Sequence, residues 1–300
     1  MELNQQQAQS ARRRPRPLPR VRVPVVRMSN CIPRILHQTF HTAVVPVELA
    51  ANVEAVRGLN ADWEHRFYDD ADARAFIERH YGPRILAYYD AIDPRYLAAR
   101  SDLFRYLVIY RCGGVYLDVK SFTSRPLAEV IQGPDMYLLS QWPNGPGEPF
   151  EGWGLHPELR RAPGGEYQQW FIAAAAGHPF LRAVIRRVLA NLKGYNPALH
   201  GVGQRGVLKV TGPIAYTLAI QPLRGAWPHR FVDAAALGLE YSIYGKEGHK
   251  GRVGVHYSEL NAPLTHVGPA ARTTGGLIRG LKAARRGALA CLRGWRAAPV

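Results

Sequence analysis

Residues 93–126, DPRYLAARSDLFRYLVIYRCGGVYLDVKSFTSRP, leave the chain few ways to fold. Asp93-Pro94 opens a helix, with a carboxylate to accept free N–H groups and a residue that has none to satisfy. Leu103, Phe104, Leu107 and Val108 recur at helical spacing and form one apolar stripe. Gly113-Gly114 stops the helix where the backbone must turn left-handed. Val115 to Val119 then reads as a strand. Side chains alternate along a strand, so Tyr116, Asp118 and Lys120 share one face and Val115, Leu117 and Val119 the other. The apolar set predicts a core face. The polar set falls at a strand end, where open α/β sheets hold their ligands.

The flanking chain repeats this alternation. A first strand is expected over 34–38, a helix over 46–59 with Val47, Leu49, Val53 and Val56 inward, and a second strand over 63–68. Asp70 is placed to cap a helix over 71–80, and Tyr81-Gly82-Pro83 separates it from a short helix over 85–92. Beyond Lys120, strands are expected over 136–139 and 170–175 and helices from Gly177 to about Leu192 and over 214–220. The prolines and glycines of 141–165 predict a long loop, read as an acceptor-side flap carrying Trp142 and Trp153. Strand-helix alternation of this kind predicts an α/β fold with a mostly parallel central sheet.

Arg100-Ser-Asp102-Leu-Phe-Arg105, followed by Gly113-Gly114-Val-Tyr116-Leu-Asp118, resembles the signature of glycosyltransferase family 32. That family comprises DXD sugar-binding enzymes, among them mannosyltransferases and capsular-polysaccharide transferases, and is related to glucosylating bacterial toxins. Its usual pattern ends Asp-x-Asp; here Lys120 stands at the second aspartate. Further similar segments run from Ile32 to about Pro263. The resemblance implies a GT-A-like, Rossmann-type nucleotide-sugar-binding domain over 31–268. It also implies a UDP- or GDP-sugar donor, a glycan or lipid-linked hydroxyl acceptor, transfer of a hexose or N-acetylhexosamine, and retention of configuration.

The same resemblance distributes roles. Asp102 and Arg105 would hold the donor sugar and the diphosphate-ribose region, although an intrahelical ion pair is the plainer reading of their spacing. His37, Gln38, Thr39 and Phe40 would line the nucleotide pocket with Gly114 and Tyr116, Phe40 offering its face to the base. Loss of a sugar from its nucleotide leaves negative charge on the diphosphate, so the site needs preorganised positive charge. Enzymes of this kind usually use Mn²⁺ or Mg²⁺ held by hard oxygen ligands. Asp118 fits as a metal ligand or as a hydroxyl acceptor, and His256 as a second ligand. Lys120 leaves two mechanisms open: a weakened metal site, or partial replacement of metal charge by its ammonium. Thr211-Gly212-Pro213 opens a helix and offers N–H groups either to phosphate or to an ordinary cap.

The formal charge of +16 raises a competing reading, a nucleic-acid binder. Its location argues otherwise. Residues 1–30 hold seven arginines and one glutamate, residues 271–300 hold seven Lys/Arg and no acid, and the middle is near balance. No Gly-x-Gly-x-x-Gly follows the first strand, and no nucleic-acid motif or P-loop is present. A pseudo-glycosyltransferase that binds sugar nucleotides without transfer is the other alternative, because Lys120 breaks the acidic pair. Cys31, Cys112 and Cys291 form no metal or disulfide pattern and fit a reducing compartment. No apolar run of spanning length and no signal-peptide core appears, so a cytoplasmic place, or one on the cytoplasmic membrane face, is expected. Residues 1–30 read as a disordered Arg/Pro-rich tail.

Residues 269–300 read differently. Leu277, Ile278, Leu281, Leu289, Leu292 and Trp295 cluster on one side of a helix, with arginines and Lys282 around the remainder. Such a basic amphipathic segment can lie in an anionic membrane interface. Full-length chain is expected to co-sediment with anionic liposomes at low salt more than a chain ending at Gly268. Equal sedimentation of the two would remove the membrane role.

Overall fold

The computed structural model describes residues 17–245 and 256–265. Four strands form the central sheet: β1 (Ile35–Thr39), β2 (Glu64–Tyr68), β3 (Gly114–Leu117) and β4 (Phe171–Ala174), in the order β2-β1-β3-β4. β1 runs parallel to both β2 and β3, and β4 runs antiparallel to β3. The sheet is therefore α/β and mostly parallel, as the strand-helix alternation predicts. Its antiparallel edge puts Gln169 and Trp170, just before β4, beside the end of β3.

Alternation along β3 sorts the core into two layers. Tyr116, with Ile172 of β4, faces the helices α2 (Asp70–Tyr81), α3 (Pro83–Ala91), α4 (Leu97–Cys112) and α5 (Pro179–Lys193). Val115 and Leu117 face the other way, onto Leu36, Trp63, Phe171 and Val56 of α1 (Val47–Leu59). Within α1, Leu49, Val53 and Val56 are buried as expected, whereas Val47 is exposed in the first turn.

The helix before the glycine pair differs from expectation in two respects. It begins at Leu97 rather than at Asp93, whose carboxylate instead closes a turn on Arg95. It is also buried all round from Asp102 to Tyr110, so it is a central helix rather than one with a single apolar stripe. Its tyrosines make this tolerable, because each long ring carries a hydroxyl out to a backbone partner. The Tyr110 hydroxyl donates to the Pro24 carbonyl at 3.0 Å and accepts from the Val26 N–H at 3.2 Å. Those contacts depart from the disordered tail expected over 1–30 in its described part; residues 1–16 lie outside the described residues. Residues 17–30 run extended over the helical layer with Val23 in its core. An extended strap of prolines and valines has no periodicity for a sequence reading to detect.

Asp69, not Asp70, caps α2, in a reciprocal capping box with Asp72. Asp70 instead accepts from the Tyr89 hydroxyl and Arg100. At the far end of the described chain, Tyr96 joins Ala262 to the start of α6 (Gly203–Val210), with its hydroxyl 2.6 Å from the Ala262 carbonyl and 2.8 Å from the Gly203 N–H. Asp93 N–H donates to Leu264 O, which holds residues 256–265 against the sheet's ligand end. A further helix, α7 (Pro213–Ile220), packs on α5. The described helices include none long and apolar enough to cross a membrane. The expected C-terminal helix of 269–300 lies outside the described residues.

The glycine pair is required by space as well as by conformation. Gly114 has φ +99°, and a Cβ there would sit 2.4 Å from the Ile35 carbonyl oxygen across the sheet. Gly114→Ala is expected to destabilise the fold by at least about 2 kcal/mol, read by urea unfolding. Gly58→Ala, in a helical position with open space around it, should be neutral or stabilising by up to ~1 kcal/mol. Equal effects at the two positions would contradict this account of the turn.

Candidate active site

The turn delivers the end of β3 next to one face of α4. Asp102 and Arg105, three apart on that helix, meet Asp118 just beyond the strand. The Arg105 guanidinium lies 3.5 Å from Asp102 Oδ1 and 3.1 Å from Asp118 Oδ1. It donates to the Gln169 carbonyl at 2.8 Å and lies over the Tyr116 ring, 4.7 Å from its centroid. Tyr116 in turn donates its hydroxyl to Asp118 at 3.0 Å. Thr211 donates to Asp102 Oδ2 at 2.9 Å, and the Gln169 amide to Oδ1 at 3.1 Å. Both Asp102 and Arg105 are buried, so this network is what makes their charges tenable.

Electrostatics follow from that burial. Desolvation raises Asp102 to about 6, against the pull of Arg105 and Thr211. Burial also works against the Arg105 charge, but Asp118, Tyr116 and Asp102 more than restore it and its pKa is raised. Lys120 extends its Nζ 3.3 Å above the centroid of the Tyr241 ring, where it makes no hydrogen bond among the described residues. Burial lowers its pKa to about 7, with Asp118 drawing it up and Arg105 pressing it down.

These groups line a cleft of about 540 Å³. Of the residues expected there, Thr39, Phe40, Asp102, Arg105, Tyr116, Asp118, Lys120 and His256 all border it. His37, Gln38 and Gly114 do not, which corrects their expected nucleotide-binding role. His37 is fully buried and neutral, its pKa lowered to about 3 by desolvation. Its Nε2–H donates to the Gly113 carbonyl at 3.1 Å and its Nδ1 accepts from Tyr68 at 3.2 Å, so it braces the glycine turn. Gln38 accepts from His65, and Gly114 makes the close approach to β1. β1 is buried on both faces between neighbouring strands, so only its end reaches the cleft. The 211–213 turn also plays another part: the Thr211 hydroxyl holds Asp102, and the N–H groups of Thr211 and Gly212 donate to the Val207 carbonyl.

Several cleft residues had no sequence signal. Gln169 belongs to no motif, and only the antiparallel edge brings it to Asp102. Tyr241 lies far along the chain. The 141–165 loop folds over one end of the cleft with Trp142 and Trp153 in its wall, stacked edge to face at 5.3 Å between centroids. It is organised by Glu166, which accepts from the Trp142 indole and pairs with His156, each at 2.8 Å.

Enzymes with a DXD motif ordinarily combine a nucleotide-sugar donor with a divalent cation. The residues described here do not fit that cation. Asp118 Oδ1 is already shared by Arg105 and Tyr116, an amine occupies the place of the second carboxylate, and His256 Nδ1 is 2.7 Å from Ser258 Oγ. Among the described residues no cluster of three or more His, Cys, Asp or Glu is placed to hold a metal.

Lys120 also couples the site to stability. The unfolded chain keeps this proton to about pH 10 and the folded chain releases it near 7. Between those values the unfolded state binds more protons, so stability rises with pH, by at most ~1.4 kcal/mol per unit. Lys120→Met is expected to flatten that slope between pH 7 and 9 and to raise stability at pH 7. Urea unfolding across this range measures it; parallel curves for parent and variant would contradict the assignment.

Residues 46–137 match the family model described as the glycosyltransferase sugar-binding region containing a DXD motif. Asp102, Arg105, Asp118 and Lys120 all lie inside the match, while 37–40 and His256 lie outside it. The chain is 29% identical over 160 residues to inositol phosphoceramide mannosyltransferase 3 of Schizosaccharomyces pombe, covering 53% of this chain and 38% of that protein. It is 28% identical over 171 residues to the initiation-specific alpha-1,6-mannosyltransferase of Candida albicans, covering 53% and 43%. It thus spans about two fifths of the length of these relatives. Solved structures with a similar trace include the PaToxG glycosyltransferase, at TM-score 0.46 and 17% identity over 65% of this chain and 72% of that one. Another is the UDP-bound glycosyltransferase domain of the YGT toxin, at TM-score 0.49 and 10% identity over 76% and 84%. The sheet of this chain is α/β and parallel except for its last strand. Residues 46–137 thus resemble a DXD-containing glycosyltransferase sugar-binding region, and about half of the chain is similar to fungal mannosyltransferases.

Proposed function

We propose that this chain transfers a hexose from a nucleotide sugar to a hydroxyl of a glycan or lipid-linked acceptor, with retention of configuration. Mannose is the favoured sugar, because the relatives above are named mannosyltransferases. The observation that carries this reading is the buried Asp102–Arg105–Asp118 network at a strand end that opens on a cleft of substrate size. A site that held charges only for structural reasons would have no need to set Asp118 and Lys120 along a cavity.

In the proposed reaction the bond from the anomeric carbon to the diphosphate breaks, and its electron pair stays on the diphosphate. The acceptor oxygen bonds the same carbon, and its proton is taken up by the released nucleotide. Asp118 Oδ1 is held by Arg105 and Tyr116, which leaves its second oxygen to accept a sugar or ribose hydroxyl. Phe40 at the end of β1 offers a ring to the base. The aromatic end of the cleft, with Trp142 and Trp153, offers apolar faces to an acceptor sugar and excludes water from the reacting carbon.

Hydrolysis or transfer from a panel of UDP- and GDP-sugars, GDP-mannose included, tests this reading. Asp118→Asn should lower turnover by ~10²-fold or more, the scale of one preorganised electrostatic contact. Its unfolding midpoint should fall, because the buried Arg105 loses a paired charge, so turnover is compared in protein that circular dichroism shows to be folded. Near-parental turnover in a folded Asp118→Asn protein would remove Asp118 from the site.

A further inference from the structure

The charge count of the site differs from that of an Asp-x-Asp site in one specific way. An aspartate at position 120 would leave three carboxylates, those of 102, 118 and 120, facing one guanidinium. That set is short by two positive charges, which is what a divalent cation supplies. With lysine at 120 the change from carboxylate to ammonium is itself two charges. Asp102, Arg105, Asp118 and a charged Lys120 then sum to zero without an ion. The substitution therefore replaces the cation in the electrostatic balance as well as removing one of its ligands.

Geometry supports the same conclusion. Lys120 Nζ is buried, faces the cleft, and has no hydrogen-bond acceptor among the described residues. Its neighbour is the Tyr241 ring, which attracts a cation but does not accept a conventional hydrogen bond from it. The ammonium donors thus have no acceptor among the described residues, which a ligand with acceptor oxygens would supply. The loop that carries it is fixed: Asn52 Nδ2 donates to both the Val119 and Ser121 carbonyls, and Lys120 O accepts from Ile243 N–H. Ser121 Oγ holds the Tyr241 carbonyl at 2.6 Å, so the cation and the ring beneath it are anchored together. An ammonium so placed needs little reorganisation to meet an anion. Arg105, by contrast, is already committed to two carboxylates and the Gln169 carbonyl.

We infer that Lys120 takes the place of the divalent metal in this chain, so that the diphosphate of a nucleotide donor binds directly to its ammonium without a metal ion. This inference rests on the glycosyltransferase reading above and concerns the same cleft. It specifies the ligand group as a nucleoside diphosphate and the contact as ammonium to phosphate oxygen.

Calorimetric titration of the full chain with UDP and with GDP, in EDTA and in Mn²⁺, tests it. The parent should bind one of these nucleotides in EDTA, with a Kd within about threefold of that in Mn²⁺. Lys120→Met should weaken binding in EDTA by ~10-fold or more, the scale of one charge-assisted hydrogen bond. Lys120→Asp should lose binding in EDTA and regain it with Mn²⁺, and should bind Mn²⁺ itself in an electron paramagnetic resonance titration where the parent does not. Circular dichroism of each variant confirms the fold. Binding by the parent in Mn²⁺ alone, or unaltered binding by folded Lys120→Met, would overturn this inference and leave the glycosyltransferase reading standing. Failure of the parent to bind either nucleotide in both buffers would overturn both.

Discussion

The Arg105 guanidinium, held between Asp102 and Asp118, is the interaction on which the ligand end of this structure depends. Two carboxylates and a guanidinium out of water cost several kcal/mol per ion unless each lone pair and N–H finds a partner. The partners come from elements far apart in the chain. α4 supplies the first two charges, the strand end supplies the third, the antiparallel edge supplies Gln169, and the turn before α7 supplies Thr211. The same network keeps the end of β3 in place, so packing and ligand chemistry share one set of bonds. Tyr116 belongs to both, with its ring under the guanidinium and its hydroxyl on Asp118.

Tyrosine does much of the long-range joining. Tyr81, Tyr96, Tyr106, Tyr110 and Tyr195 each bury a ring and send the hydroxyl to a backbone group of another segment. A ring gives apolar area, and its hydroxyl satisfies a carbonyl or N–H that a phenylalanine would leave unpaired. This ties the N-terminal strap to α4 and brings residues 256–265 back over the cleft, where His256 and Tyr257 form part of its rim. The loop of 141–165 is built on a different device. Gly154 has φ +73°, and a Cβ there would lie 2.6 Å from Glu166, so the loop can close on that carboxylate only with glycine at this place. Trp142 and His156 then complete its hydrogen bonds.

Positive charge at this site is local rather than a property of the whole chain. The large formal charge sits mainly at the two termini, whereas the cleft balances its own carboxylates with Arg105 and Lys120. Such balance in a partly dehydrated cleft matters more to an incoming diphosphate than distant charge, which water and salt screen. The aromatic wall performs the complementary task, because it narrows access of water to the same charges.

The sequence by itself determined the local grammar of the site: helix, glycine pair, strand and terminal carboxylate, with Asp102, Arg105, Asp118 and Lys120 at readable spacing. These are short-range properties, set by backbone conformation and by the period of helix and strand. The α/β class followed from the same periodicities. Tertiary structure decided what distance along the chain conceals. It buried His37 as a brace for the turn, moved Gly114 from ligand contact to strand contact, and gave Thr211 to Asp102 instead of to phosphate. It also brought Gln169, Tyr241 and Glu166 to the cleft from positions that carry no motif. Whether a polar side chain meets a ligand or a neighbour is settled by packing, because an unpaired buried group takes whichever partner the fold sets within hydrogen-bond reach.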